Sequence, residues 1–134
     1  MSPKNEQEKK FLSSLGRGIK FWRTIEGYNQ SSFASAMDTS RSYVSRLETG
    51  NVGISIDRIC YIAEFLNIPP RSLLCGAPNE DEIEIIRDLY DSEEYDISRD
   101  ELNDLFCTSY DDRTLTREFY VNQLSILRSN IYTR

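Results

Sequence analysis

The sequence predicts an all-α fold: a bundle of five short helices followed by an acidic, helical C-terminal region. Three observations lead there. Apolar residues recur at helical spacing, with no convincing alternating run that would mark a strand. Glycine and proline fall between the periodic stretches, at Gly27, Gly50, Gly53, Pro69, Pro70, Gly76 and Pro78. The charge also changes sign part-way along the chain.

Leu15, Ile19 and Trp22 step by four and three along a first helix that Gly27 ends, and residues 1–14 read as an N-terminal extension. Gln30 to Met37 form a second helix, with Asn29 as its cap and Phe33, Ala34 and Met37 facing inward. Ser40 is placed to cap a third, Arg41 to Thr49, whose buried stripe is Val44 and Leu47 and which Gly50 stops. Ser55 caps a fourth, in which Ile56, Ile59, Ile62, Ala63 and Leu66 repeat at helical spacing. Pro70 opens a short fifth ending near Leu74, since proline is tolerated in a first turn. Together these helices define one domain over residues 15–76. Phe21 and Ile25 sit four apart, off the main stripe of the first helix. They form either an exposed apolar patch or a surface covered by Phe11–Leu12 or by the acidic half.

Residues 77–134 differ in character. GAPNEDE reads as a linker, and DEIEIIRDLYD as an amphipathic helix with Ile83, Ile86 (or Ile85), Leu89 and Tyr90 on one side. Ser98 and Glu101 have the spacing of a capping box, leading into Leu102, Leu105 and Phe106. A last helix is expected from about Thr114 to Tyr132, with Tyr120, Leu124, Leu127 and Ile131 at four, three and four. That stripe suits either a dimer seam or packing within its own subunit; it persists for too few heptads to specify a coiled coil. The apolar patterning favours order over a disordered acidic tail.

Composition narrows the function. A chain of 134 residues with 39% hydrophobic and 28% charged residues suits one domain plus an appendage. No apolar run reaches the ~20 residues of a membrane span, and MSPKNEQEKK carries no apolar signal segment, so a cytoplasmic location without membrane association is expected. Cys60, Cys75 and Cys107 are odd in number, widely spaced and unaccompanied by histidine, so no metal site is expected and the thiols read as reduced and mostly buried. Without histidine the commonest general base is missing, and Asp111–Asp112 read as helix starts; no catalytic residue and no cofactor is expected. The net charge of −6 divides unevenly. Residues 1–79 hold ten Lys/Arg against seven Asp/Glu, a balance of +3, whereas residues 80–134 hold six against fifteen, a balance of −9. One half can meet a polyanion and the other cannot.

The stretch DTSRSYVSRLETG, Asp38 to Gly50, carries three serines, two arginines and a tyrosine beside its two aliphatic residues. Only Asp38, Thr39 and Ser40 join the second and third helices, so the pair must cross steeply, the geometry in which a second helix is braced against a DNA major groove. The outward residues near its start, Ser40, Arg41, Ser42, Tyr43, Ser45 and Arg46, are then candidate base readers: arginine matches guanine bidentately and serine meets several acceptors.

Residues 15–74 resemble the Cro/cI-like (XRE) helix-turn-helix family of phage repressors and bacterial regulators. The resemblance rests on Ile19, Trp22 and Arg23, on NQSSFA with Gln30 and Ala34, on SRSYVSRLETG, on ISIDRICYIAEFLNI and on Leu73–Leu74. It implies a lambda-repressor-like bundle and a sequence-specific transcriptional repressor, binding double-stranded DNA as a homodimer on half-sites about 34 Å apart. It further implies phosphate contacts from Gln30, Asn29, Thr49 and Asn51, with Gln30 also near a base or Arg41, and a scaffold ion pair between Arg23 and Glu48. The position where the family usually has glycine is Asp38, which tolerates a left-handed backbone better than most residues. ISIDR and the recognition helix also resemble controller proteins of restriction–modification systems, which are usually shorter. The acidic half, 77–134, is expected to supply a dimer seam (Tyr120, Leu124, Leu127, Ile131) or to bind a protein partner, as in an XRE-type antitoxin.

Overall fold

The computed structural model describes residues 5–108 and 115–130, and all regular structure among them is helical. The chain forms two compact units, Met1–Ala77 and Pro78–Arg134. The first contains α1 (Glu6–Ile25), α2 (Gln30–Ala36), α3 (Arg41–Glu48), α4 (Ile56–Phe65) and α5 (Arg71–Leu74); the second contains α6 (Glu80–Asp91), α7 (Arg99–Phe106) and α8 (Arg117–Asn130).

α1 is longer than the sequence suggests. Asn5 caps it by accepting the Glu8 N–H at 2.8 Å, so residues 6–14, expected to be an extension, are its first turns. Their acidic and basic residues hide the apolar period, which begins only at Leu12, itself buried. Phe21 is buried and Ile25 half-buried, so these two do not form an exposed patch. The core of the unit gathers Leu15, Ile19, Trp22, Phe33, Val44, Ile62 and Leu66. Not every residue of the apolar repeat on α4 is core. Ile56 stands at its first residue with 68% of its surface exposed, because the opening turn projects beyond the core. Cys60, next to buried Ile59, is exposed, Cys75 is exposed and Cys107 half-exposed, so the thiols expected to be mostly buried are not.

α1 and α3 approach to backbone contact. A Cβ on Gly16 would lie 2.5 Å from the carbonyl oxygens of Leu47 and Glu48, and one on Gly50 would lie 2.8 Å from the Ser13 nitrogen. Nearby, the Ser14 hydroxyl accepts the Ala77 N–H at 2.7 Å and Arg17 donates to the Ala77 carbonyl at 3.4 Å. The middle of α1, from Ser13 to Arg17, thus holds both the end of α3 and the end of the unit.

In the second unit, Asn79 and Glu82 form a reciprocal capping box, so the linker stops short of the NEDE stretch and α6 starts at Glu80. Ser98 and Glu101 make the box expected for α7. Buried Glu82 also accepts the Leu115 N–H at 2.7 Å, tying α6 to the residues before α8. Burial, and then the Glu82 carboxylate, push the Tyr120 phenol up. Ile86, Leu89, Leu102, Leu105, Phe106, Tyr120 and Leu124 are buried. Of the stripe expected either as a dimer seam or as packing within its own subunit, Tyr120 and Leu124 are buried, Leu127 is half-buried, and Ile131 lies outside the described residues, as do Thr114, Asp111, Asp112 and Tyr132. The exposed apolar residue of α8 is instead Ile126. Arg128 clamps the unit from α8, donating to both Glu101 oxygens at 2.7 and 3.2 Å and to the Tyr95 carbonyl at 2.6 Å.

Two predictions follow from these contacts. Gly16→Ala lowers stability in chemical denaturation, because the overlap with main-chain oxygens, about 1–3 kcal/mol or more, outweighs the roughly 1 kcal/mol that alanine gains as a helix former. The second concerns pH. The hydrogen-bonded Arg128 guanidinium holds the Glu101 carboxyl at about 2, with burial opposing and the Ser98 N–H assisting. The unfolded carboxyl binds its proton first, so this contribution is complete above the ordinary value of 4.5 and is lost as pH falls from there toward about 2. The melting-temperature difference between the native chain and Glu101→Gln narrows across that window and is constant above it.

Candidate nucleic-acid interface

The interface is built on a turn. α2 is capped by Asn29, whose side chain accepts the Ser32 N–H at 2.7 Å while the Ser32 hydroxyl accepts the Asn29 N–H at 3.0 Å. At its end the Asp38 N–H reaches Ser35 O at 3.1 Å and the Thr39 N–H reaches Ala34 O at 2.9 Å, a Schellman closure with Asp38 in the left-handed region at φ 57°. The turn expected to survive an aspartate does so. Two residues later the Ser40 hydroxyl accepts the Tyr43 N–H at 3.1 Å and opens α3.

α3 is held from behind. Val44 and Leu47 are buried, and Glu48, also buried, meets Arg23 of α1 with both oxygens, at 2.6 Å to Nε and 3.1 Å to Nη2. Arg23 donates further to the Tyr28 carbonyl at 2.8 Å, and Gln30 Nε2 donates to Glu48 at 3.1 Å. One carboxylate therefore joins α1, the start of α2 and the end of α3. The pair expected from Arg23 and Glu48 is present. Gln30, expected at a phosphate and near a base or Arg41, directs an amide N–H into this network.

The opposite face is open. Ser40, Arg41, Ser42 and Arg46 are exposed, while Tyr43 and Ser45 are half-buried against the body of the unit. The structure brings these six together on one flank of one helix. Thr49 and Asn51 are exposed at its far end, where Asn51 donates to the Thr49 hydroxyl at 2.8 Å and Thr49 donates to the Ser45 carbonyl at 3.0 Å. Gly50, at φ 74°, closes the helix with the same pair of bonds seen at Asp38. Sequence reasoning missed Arg58. Its guanidinium lies over the Tyr43 ring (5.6 Å to the centroid) and over the Tyr61 ring (5.3 Å). The Arg58–Tyr61 spacing of three was visible in the sequence; the reach across to α3 was not.

A flank of hydroxyls and guanidinium groups is chemically a donor surface, suited to base-edge acceptors and phosphate oxygens, and it offers no nucleophile–base pairing. Among the described residues no group of acids and thiols is arranged to hold a metal ion, and no helix is long and apolar enough to cross a membrane.

Two short helices joined through a three-residue turn, the second braced from behind and open in front, define a helix-turn-helix domain. Residues 19–73 match the model of the helix-turn-helix family, so this segment is similar to its members. The chain is also 34% identical over 67 residues to a competence pilus inhibition repressor of Acinetobacter baylyi, a match that takes in 50% of this chain and 61% of that protein. The chain thus spans about three fifths of the length of that curated relative. No solved structure matches the chain.

Breaking the scaffold pair tests its place in this architecture. Arg23→Ala or Glu48→Ala leaves a buried charge without its partner and costs about 3–5 kcal/mol in guanidinium chloride unfolding. Arg41→Ala and Arg46→Ala, on the open face, stay within about 0.5 kcal/mol of the native chain.

Proposed function

We propose that this protein is a sequence-specific DNA-binding transcriptional regulator, a repressor that acts as a homodimer with α3 in the major groove. The observation that carries the reading is the pairing of a fixed rear face with an open front one: Glu48 is locked to Arg23 while Arg41, Ser42 and Arg46 stand exposed. Arg41 and Arg46 are the guanine-reading candidates, Ser40 and Ser42 meet nearby acceptors, and Tyr43 covers a thymine methyl or the backbone. Thr49, Asn51 and Asn29 supply phosphate contacts, with Gln30 contributing the part of its amide that Glu48 leaves open. The helix-turn-helix match and the repressor named among its relatives support this assignment.

Dimerisation follows from information content, since one short helix reads too few base pairs to choose a site alone. The carboxylates of the second unit, exposed along α6 at Glu80, Glu84, Asp88 and Asp91, repel phosphate and support a role for that unit in association or in binding a protein partner. A gene-regulating protein of this kind works in the cytoplasm.

Fluorescence anisotropy with duplexes selected from a random library tests the proposal. Binding weakens steeply with added salt, and Arg41→Ala costs about 1–3 kcal/mol at one base step while relaxing the preference there. Salt-independent binding, or selection that yields no preferred sequence, rules the assignment out.

A further inference from the structure

We infer that Arg58, whose guanidinium lies over the rings of both Tyr43 and Tyr61, is a pre-positioned contact to the phosphate backbone of the bound duplex. The inference rests on the reading of α3 as the DNA-facing helix and extends it to a residue of α4.

Both rings lie within the ~6 Å at which a guanidinium gains from an aromatic face, at 5.6 Å for Tyr43 and 5.3 Å for Tyr61. Tyr61 stands one turn further along α4 and is 41% exposed, whereas Tyr43 belongs to the open flank of α3. Arg58 therefore bridges two helices, beside the outward side chains near the start of α3. Its backbone N–H is already taken, donating to the Ser55 hydroxyl at 3.2 Å as the cap of α4. Its side chain is not: among the described residues no carboxylate pairs with it.

A cation–π contact consumes no hydrogen bond, so the guanidinium N–H donors stay available to an anion. An arginine held in this way loses little rotamer freedom when it meets an anion. A cation at the margin of a groove-reading surface, half-exposed and with no carboxylate paired to it among the described residues, matches a backbone phosphate oxygen. A base edge would instead require the side chain to enter the groove, and the two tyrosines hold it at the side.

The test uses the full chain, a fluorescein-labelled duplex selected by it from a random library, and a scrambled duplex of the same composition. Anisotropy titrations are repeated across a potassium chloride series for the native chain, Arg58→Gln and Arg58→Lys, with melting temperatures as the check on folding. Arg58→Gln weakens binding to both duplexes by a similar factor, and its slope of log K against log[salt] is shallower by about 0.9, the loss of one phosphate contact. Arg58→Lys, which keeps the charge, restores the native slope. A native slope in Arg58→Gln, or a slope in Arg58→Lys as shallow as that of Arg58→Gln, overturns the inference while DNA binding by the native chain stands. Failure of the native chain to bind either duplex overturns the underlying reading instead, and is seen without any variant.

Discussion

The buried pair between Arg23 and Glu48 sets the geometry on which the first unit depends. Ion pairs of this depth are weak sources of net stability, because the removal of two charges from water offsets most of their attraction. Their contribution is directional. A bidentate guanidinium–carboxylate contact is satisfied only in a narrow range of angles, and here the same groups also bind the Tyr28 carbonyl and the Gln30 amide. A misplaced α3 would leave several buried polar groups unsatisfied at once. The apolar contacts of Val44 and Leu47 could tolerate a small rotation; the ion pair could not.

Much of the first unit was legible in the sequence because its helices begin and end on residues with special chemistry. Asn29, Ser40 and Ser55 each accept a backbone N–H from three residues on, and Gly27 and Gly50 take up positive φ where their helices stop. Asp38 was readable for the same reason, as a residue that reaches the left-handed region at modest cost. The clustering of outward serines and arginines between Ser40 and Arg46 was visible because the buried positions of so short a helix are few.

What escaped the sequence has particular causes. The first turns of α1 are charged and lack an apolar stripe, so periodicity had nothing to register before Leu12. Gln30 has the right place to touch DNA, but its amide is also within reach of Glu48, a tertiary fact invisible along the chain. Tyr120 and Leu124 show the ambiguity of a helical apolar stripe: spacing says that a face is covered and never by what. The exposed Cys60 beside the buried Ile59 shows how little hydrophobicity alone decides on a narrow amphipathic helix.

The contact at Gly16 bears on how this domain can change over time. The atoms that fill the space above it are the carbonyl oxygens of residues 47 and 48, not side chains. Crowding against a leucine or a serine can be relieved by trimming the neighbour, and a lineage can recover through a second substitution. Peptide oxygens are the same in every variant. A bulkier residue at this position can be accommodated only by moving the whole of α3, so no compensating replacement restores the original seat, and the glycine and the tilt of the helix are inherited together.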